Sequence, residues 1–302
     1  MSTKIQLENP RNNPFQKFKS SYLILGAIVI SIIVAFFSVS IIDLISKNTP
    51  IAKLLAEITS VLLITAWTIF LCWGFRIDLQ KLIGNKSSNI QWLSISGTVV
   101  SVFMFSMGAF YLTYYPLSLV APNFAEEIII FSEQIYSPPT SGTLIYNILL
   151  FLEIVVVAPI VEEFFFRGII LHRWATKWGV KPAIIASSIL FGFCHLNFLG
   201  LSLFGVVMAI LYLKTRSLIA PIFAHALNNA IAFVWIVTEA KFSSVENASF
   251  LDQLLNNSAL EDFQAQWWQG VICFLVSLPF IWRFLSQNWS KNYTVLPYFT
   301  NS

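Results

Sequence analysis

The stretch TLIYNILLFLEIVVVAPIVEEFFFRGIILHRW, residues 143–174, decides the fold of this chain. Its first half is an apolar run that approaches the length of a membrane crossing, because the hydrocarbon core is ~30 Å thick and a helix rises ~1.5 Å per residue. The apolar pattern then continues through Glu162, Glu163 and Arg167 to Trp174 without a clean end. Ionisable residues inside an apolar span are costly and indicate a functional site. The stretch therefore predicts a membrane helix that carries chemistry.

The composition of the whole chain agrees with a membrane protein. Of 302 residues, 57% are apolar and 11% are charged, and the mean hydropathy is +0.73. A soluble domain has ~25% charged residues, and a single soluble core of this length could not bury so much apolar surface. This excludes most soluble enzymes, secreted disulfide scaffolds and disordered chains. The net charge of +3 is too small to indicate nucleic-acid binding, and the three cysteines lie in apolar runs without a metal-binding spacing.

Eight segments are apolar enough to be candidate membrane spans. They are Tyr22–Ile45, Leu54–Phe75, Gln91–Tyr114, Thr143–Pro159, Pro182–Phe198, Leu201–Leu213, Leu218–Val237 and Trp267–Leu285. We therefore predict an all-α polytopic bundle of about eight spans. The fifth and sixth follow each other closely, which suggests a tight hairpin at Gly200. We also expect a short interfacial helix at Phe250–Leu255, within the acidic outer segment before the last span.

The basic residues predict the orientation. With the N-terminus in the cytoplasm, all but three of the 18 Lys and Arg residues fall on the cytoplasmic side. The exceptions are Lys47, Lys53 and Lys241. Since cytoplasmic loops are enriched in Lys and Arg, both termini of this multi-pass protein are predicted to be cytoplasmic. No targeting peptide is visible, which fits best a bacterial inner (plasma) membrane or its equivalent.

The first polar constellation is Glu162, Glu163 and Arg167. Glu163 and Arg167 are spaced i,i+4, the geometry of a helical ion pair. Glu162 points ~100° away around the helix and lacks a local partner. Alternatively, the three form a charge patch at the cytoplasmic interface. Glu153 lies in mid-span, either as a neutral hydrogen-bonded acid or as part of a water-filled cavity.

Two further constellations lie on later spans. Phe191 and His195 share a helix face at i,i+4, although a lone histidine on an apolar helix is often only a satisfied buried group. His225 shares a face with Asn228 and Asn229, where the alternative is interhelical hydrogen bonding. His172 matches no motif and is expected at the surface, on the cytoplasmic edge.

Depth indicates that these groups converge. Counted from the cytoplasmic ends of their helices, Glu162, His195 and Asn229 lie ~18–20 Å inward and His225 ~12 Å inward. Pro159 and Pro221 precede Glu162 and His225 closely, and each removes a backbone donor and tends to kink its helix. Bent helices can open a cavity that admits water.

The three motifs EExxxR (Glu162, Glu163, Arg167), FxxxH (Phe191, His195) and HxxxN (His225, Asn229) occur in this order on successive helices. The chain thereby resembles the CAAX prenyl endopeptidase and bacteriocin-processing (CPBP, or Abi) family over about Thr143–Val237. The resemblance implies a catalytic core of four helices at 143–237. A polar N-terminus (1–20) and a group of helices with an outer loop (21–142) precede this core. An outer segment, the last span and a polar tail (238–302) follow it.

The resemblance implies an intramembrane endopeptidase. Glu162 and His195 would activate a water molecule, His225 and Asn229 would stabilise the oxyanion, and Glu163, Arg167 and Phe191 would support them. The substrate would be a peptide or protein in or at the lipid bilayer, with no nucleic-acid partner.

Three alternatives stay open. The core could use zinc held by Glu162, His195 and His225, although the sequence has no HExxH motif and favours a reaction without a cofactor. The chain could also be a catalytically silent scaffold or immunity-type factor of the same family. Finally, it could be a transporter with a proton pathway through Glu153, Glu162 and the histidines, although no inverted repeat supports this.

Overall fold

The computed structural model describes residues 13–45, 49–85, 90–136, 144–246, 259–289 and 295–301. Within these ranges every regular element is helical, which confirms the all-α prediction. The interfacial helix expected at Phe250–Leu255 lies outside the described residues.

The helices follow the predicted apolar runs. In chain order they are α1 Pro14–Lys17, α2 Ser20–Ile45, α3 Thr49–Gly74, α4 Leu79–Ile83, α5 Trp92–Val120, α6 Pro122–Tyr136, α7 Leu144–Phe151, π1 Leu152–Val157, α8 Ala158–Glu163, π2 Phe164–Ile170, α9 Leu171–Trp178, α10 Val180–Phe193, α11 Phe198–Thr215, α12 Ile219–Glu246, α13 Ala259–Ala265, α14 Trp267–Trp289 and a 3₁₀ turn Pro297–Phe299. Each predicted span coincides with a helix along most of its length, except that Pro182–Phe198 runs beyond the end of α10 at Phe193.

Within the described ranges, six helices are long and apolar enough to cross a membrane. They are α2, α3, α5, the continuous helix Leu144–Trp178, α11 and α14. The apolar stretches Val180–Phe193 and Ile219–Trp235 also lie at predicted spans but are shorter. The chain is thus an integral membrane protein with a polytopic helical bundle.

The continuous helix Leu144–Trp178, here called the motif helix, has the uninterrupted course that its sequence predicted. Two π-helical segments, π1 and π2, interrupt its α-helical hydrogen bonding and flank the short α8 that carries Glu162 and Glu163. Such wide turns shift the side chains that follow them around the helix axis, and they are frequent at functional sites.

The short helices α10 and α11 form a tightly packed hairpin. A Cβ atom on Gly205 would lie 2.9 Å from Cα of Ser188, so the two helices approach at contact distance where only glycine fits. The hairpin turn runs over residues 194–197, because α10 ends at Phe193 and α11 begins at Phe198. The expectation of a turn at Gly200 was therefore wrong. Gly200 lies in the first turn of α11, where the carboxamide of Asn197 caps its amide.

Two other details differ from the expectations. Pro221 does not kink a helix, because α12 begins at Ile219 and proline is tolerated in a first turn, whose N–H groups have no helical partner. The outer loop expected between the third and fourth spans contains a helix, α6, beyond Pro116. This helix packs with α13 against the far end of α5.

The two ends of the described chain pack together at one end of the bundle. His172 is fully buried there rather than at the surface, so the surface assignment was wrong. Its Nδ1 donates to the carbonyl of Arg167, and its Nε2 accepts from the amide of Tyr298. The ring of Phe15 stacks on the imidazole at 5.1 Å. The chain ends bury His172, and these contacts are remote in sequence.

Candidate active site

Two helices and the turn that follows α10 bring their ionisable side chains to one point. Oε2 of Glu162 lies 3.9 Å from Nε2 of His195 and 4.0 Å from Nε2 of His225. Both separations exceed a direct hydrogen bond, and Oε2 is buried with no hydrogen-bond partner among the residues that the structure describes. The convergence that the helix depths predicted is therefore present, and the gap leaves room for a bridging group.

His195 is held by the end of α10. The helix stops at Phe193, so the imidazole lies in the turn that follows rather than on the helix itself. Its Nδ1 lies 2.7 Å from the carbonyl of Phe191, and the two rings are tilted against each other at 4.5 Å. Because a carbonyl only accepts, Nδ1 must be the donor, and in the neutral ring Nε2 offers its lone pair to the Glu162 side.

His225 is held by the second glutamate. Its Nδ1 lies 2.9 Å from Oε1 of Glu163, and the same oxygen lies 3.1 Å from Nη1 of Arg167. Arg167 also donates from Nη2 to the carbonyl of Gly205 at 3.1 Å, which ties the motif helix to α11. The expected Glu163–Arg167 pair is present, and it fixes the tautomer and orientation of His225.

The ring of Phe191 lies at the centre of this arrangement and is fully buried. It lies 4.7 Å from the Arg167 guanidinium carbon and packs edge-to-face against His225 at 5.9 Å. Phe204 stacks on it at 5.7 Å and contacts His225 at 4.8 Å. Phe191 thus links the arginine and both histidines through ring contacts, a role that the FxxxH spacing alone does not show.

Asn229 is held by a carbonyl that the π1 segment sets free. In π1 the amide of Ala158 bonds to the carbonyl of Glu153, and the next residue, Pro159, has no N–H. The carbonyl of Ile154 therefore loses its helical partners, and Nδ2 of Asn229 donates to it at 2.8 Å. Pro159 thus acts by freeing an acceptor rather than by a simple kink.

Asn228 fixes the other end of the same amide. Its Nδ2 lies 3.3 Å from Oδ1 of Asn229, while its own Oδ1 is buried without a partner. The sequence placed Asn228 on the His225 face but did not include it among the site residues. A donor from Asn228 and an acceptor from Ile154 together specify which way the Asn229 amide points.

The site has an accessible edge and a buried rear. The side chains of Glu162 and His195 are 29% and 26% exposed, whereas those of His225 and Glu163 are 4% and 0% exposed. A water molecule beside Glu162 could donate to its Oε2 and to one histidine Nε2. The arrangement can therefore hold a water molecule beside the partly exposed Glu162 side chain, where its shielded Oε2 can take a proton.

The zinc alternative requires a closer arrangement. Tetrahedral zinc with bonds of ~2.0–2.1 Å places neighbouring ligand atoms roughly 3.3 Å apart, less than the 3.9 and 4.0 Å found here. Within the part of the chain that the structure describes, no group of three His, Cys, Asp or Glu side chains is arranged to hold a metal ion. The geometry of Glu162, His195 and His225 therefore does not fit zinc.

Glu153 does not join the cluster through any hydrogen bond or ion pair described in the structure. It is buried in π1, and the charged group that acts on its carboxyl is Glu57 of α3, with Tyr146 nearby.

Comparison with known proteins supports the same region. Residues 144–231 match the family model "Type II CAAX prenyl endopeptidase Rce1-like". The chain is 35% identical over 82 residues, 26% of its length, to "Putative membrane peptidase YdiL" of Bacillus subtilis (strain 168), of which this covers 34%. It is 29% identical over 170 residues, 54% of its length, to "UPF0177 protein YaiH" of Lactococcus lactis subsp. lactis (strain IL1403), of which this covers 64%. No solved structure gives a significant match.

The matched region contains every residue of the three motifs and lies within the predicted core 143–237. The chain spans about a third and somewhat under two thirds of the lengths of the two relatives. The family model and the named membrane peptidase confirm the resemblance that the motifs predicted.

Proposed function

We propose that this membrane protein, similar to CAAX prenyl endopeptidases over residues 144–231, is an intramembrane endopeptidase. It hydrolyses peptide bonds of membrane-associated peptides or proteins. The observation that carries the proposal is Oε2 of Glu162, a shielded and unpartnered carboxylate oxygen that faces two histidine Nε2 atoms at 3.9 and 4.0 Å.

Glu162 is the general base in this proposal. Its carboxylate takes a proton from a bound water molecule as the water oxygen forms a bond to the scissile carbonyl carbon. His195 accepts a hydrogen bond at Nε2 from the second hydrogen of that water, which stays on the oxygen, since its Nδ1 is committed to the carbonyl of Phe191. Both groups lie at the accessible edge of the site, where water and peptide can enter.

His225 and Asn229 stabilise the oxyanion that forms on the carbonyl oxygen. His225 donates from Nε2 when it carries a second proton, and the buried Glu163 carboxylate at its Nδ1 balances that charge. Asn229 uses the Nδ2 hydrogen that is not bonded to Ile154. Donors fixed in place before the reaction are worth several kcal/mol in a site that excludes bulk water.

The reaction ends with transfer of the proton from Glu162 to the leaving nitrogen as the carbon–nitrogen bond breaks. The products are a new carboxylic acid and a new amine. The acid then loses the second hydrogen of the original water to the released amine or to bulk water, so the atoms and both protons balance without a cofactor. We propose that no metal takes part, because the three candidate ligands are spaced too widely for zinc.

The cellular setting follows from the charges and the relatives. The two relatives with similar sequences are bacterial proteins. In the predicted topology, most of the basic residues lie on the same side of the membrane as the two termini. We place the protein in a bacterial plasma membrane with both termini in the cytoplasm, acting on a peptide or protein within the bilayer. Epitope tags at each end, tested for protease access in intact spheroplasts, check this orientation.

The test uses purified protein and a library of quenched fluorescent peptides. We expect Glu162→Gln and His195→Gln each to lower kcat/KM by at least a hundredfold, while a chelator leaves the wild-type rate unchanged. Glu127→Gln is the matched control, because Glu127 is an exposed glutamate of α6 outside the site. A chelator-sensitive rate would restore the zinc mechanism. Wild-type rates in both site variants would refute the proposal in favour of the scaffold or transport alternatives.

A further inference from the structure

The proposed mechanism leaves one buried acceptor beside the site unused. Oδ1 of Asn228 is shielded from solvent and has no hydrogen-bond partner among the residues that the structure describes. Around the axis of α12, the direction of His225 lies between those of the two asparagines, ~60° from Asn228 and ~40° from Asn229. Because Nε2 of His225 lies 4.0 Å from Oε2 of Glu162, both asparagines flank the face of α12 that is turned to the site.

The hydrogen bonds fix which end of each carboxamide is the oxygen. The carbonyl of Ile154 can only accept, so the Asn229 atom 2.8 Å from it must be Nδ2. The other end of this carboxamide is then an oxygen, and the Asn228 atom 3.3 Å from it must also be Nδ2. A flipped Asn228 would set two oxygens against each other. The unpaired end of Asn228 is therefore an acceptor.

The two linked carboxamides offer a donor and an acceptor side by side. Asn229 has a second Nδ2 hydrogen, which the proposed mechanism gives to the oxyanion, and Asn228 adds its free Oδ1. One residue of an extended chain shows the complementary pair, because its N–H and its C=O point to the same side of the strand, as in the hydrogen-bonded pairs of antiparallel sheets. A buried acceptor that stays unpaired is costly, so a bound ligand is expected to bring a donor to it.

We infer that Asn228 is a substrate-binding residue. Its Oδ1 accepts the N–H of the substrate residue whose carbonyl is attacked, while Asn229 donates to the carbonyl oxygen of that same residue. The inference rests on the proposed function and deepens it by naming the substrate class, which is an extended peptide segment with a free N–H on the residue before the scissile bond. Proline has no such N–H, so peptide bonds that follow proline are not cleaved.

The same contacts allow two other roles for Asn228. If it only holds Asn229, its loss lowers the rate on every peptide by the same factor. If its Oδ1 binds water instead of substrate, the enzyme is indifferent to the N–H of the residue before the scissile bond. Both roles are separated from substrate binding by removing that N–H from the peptide and the acceptor from the protein, alone and together.

The experiment uses two libraries of quenched fluorescent peptides that differ at one central position. This position holds alanine in one library and lactic acid in the other, where an ester oxygen replaces the N–H with little change in shape. Wild type, Asn228→Ala and Asn123→Ala are compared in detergent, and mass spectrometry selects cleavage directly after the central residue. Asn123→Ala is the matched control, because Asn123 is an exposed asparagine of α6. Thermal unfolding checks that each variant is folded.

We expect wild type and Asn123→Ala to show kcat/KM roughly tenfold higher on the alanine library than on the lactic acid library, the size of effect expected for one lost hydrogen bond and a buried acceptor left unpaired. Asn228→Ala is expected to reduce this ratio below ~3, since it has no acceptor left to satisfy. A third library with proline at the central position is expected to show no cleavage after the proline.

Equal wild-type rates on the alanine and lactic acid libraries would overturn the inference, and so would cleavage after proline. A ratio that Asn228→Ala leaves unchanged would assign Asn228 to holding Asn229 alone. The wild-type ratio and the proline library carry the test even if Asn228→Ala does not fold. Cleavage with the wrong preference contradicts only the role of Asn228, whereas absence of any cleavage by the folded wild type contradicts the peptidase and the inference with it.

Discussion

Removal of the Arg167 charge tests the buried support of the site. Arg167 is 1% exposed, and its guanidinium lies 3.1 Å from Glu163 and 3.1 Å from the carbonyl of Gly205. Arg167→Met has similar length and no charge. It would leave the Glu163 carboxylate buried with His225 as its only ionisable partner, and the second oxygen of Glu163 already has no hydrogen-bond partner.

The expected cost is large. Removing one partner of a buried ion pair destabilises by ~3–5 kcal/mol, and ~1 kcal/mol lowers the melting temperature of a chain of this size by roughly 2–4 °C. We therefore expect Arg167→Met to lower the melting temperature in detergent by on the order of 10 °C. The double variant Glu163→Gln/Arg167→Met removes both charges and is expected to recover more than half of the loss, because no uncompensated charge stays buried.

Thermal unfolding in detergent, followed by tryptophan fluorescence and far-UV circular dichroism, measures the effect. Lys177→Met is the matched control, since Lys177 is an exposed cation on the same helix, and it is expected to change stability by less than ~0.5 kcal/mol. The reasoning is refuted if Arg167→Met melts within 2–3 °C of the control (roughly 1 kcal/mol). It is equally refuted if the double variant is less stable than the single one.

Three further changes probe separate contacts. Pro159→Ala restores an N–H that competes with Asn229 for the carbonyl of Ile154. Because the Asn229 amide is then no longer held in place, we expect kcat to fall roughly tenfold with little change in KM. An unchanged kcat in steady-state assays would contradict this. His172→Leu removes the hydrogen-bond partner of the backbone carbonyl of Arg167 and of the backbone amide of Tyr298, both at a buried position. We expect thermal unfolding to show a loss of ~1–3 kcal/mol in stability. Unchanged stability would show that the ring only fills space. Asn301→Ala removes hydrogen bonds to the carbonyls of Lys81 and Arg216. We expect the free energy of unfolding to fall by ~1–2 kcal/mol. Full stability in this variant would show that these bonds do not hold the C-terminal segment.

The sequence predicted the fold well where one apolar run forms one helix. A run of ~20 apolar residues has few alternatives to a helix in a membrane, because each backbone polar group must find its partner within the segment. The same pattern could not show how wide each turn is. The segments π1 and π2 arise where the helix fits its neighbours, and only Pro159 hinted at the first of them.

Residue spacing and depth along the helices predicted which side chains of the site lie close together. Depth counted along the helices predicted that Glu162 and His195 meet, and the structure brings His195 within 4.0 Å of the Glu162 carboxylate together with His225, which was counted ~6 Å shallower. Contacts between residues far apart in sequence were beyond such counting. His172 is buried by Phe15 and Tyr298, and the direction of the Asn229 amide depends on a carbonyl of another helix. Neither partner is visible from the local pattern around His172 or Asn229.

The central claim is that Glu162 activates water to hydrolyse a peptide bond. Incubation of the purified protein with a peptide library in H₂¹⁸O, followed by mass spectrometry of the products, tests it most directly. The account predicts cleavage that places one ¹⁸O atom in each new carboxyl terminus, unaffected by a chelator, present in Glu127→Gln and absent in Glu162→Gln. Products without ¹⁸O, or unchanged cleavage by Glu162→Gln, would contradict it.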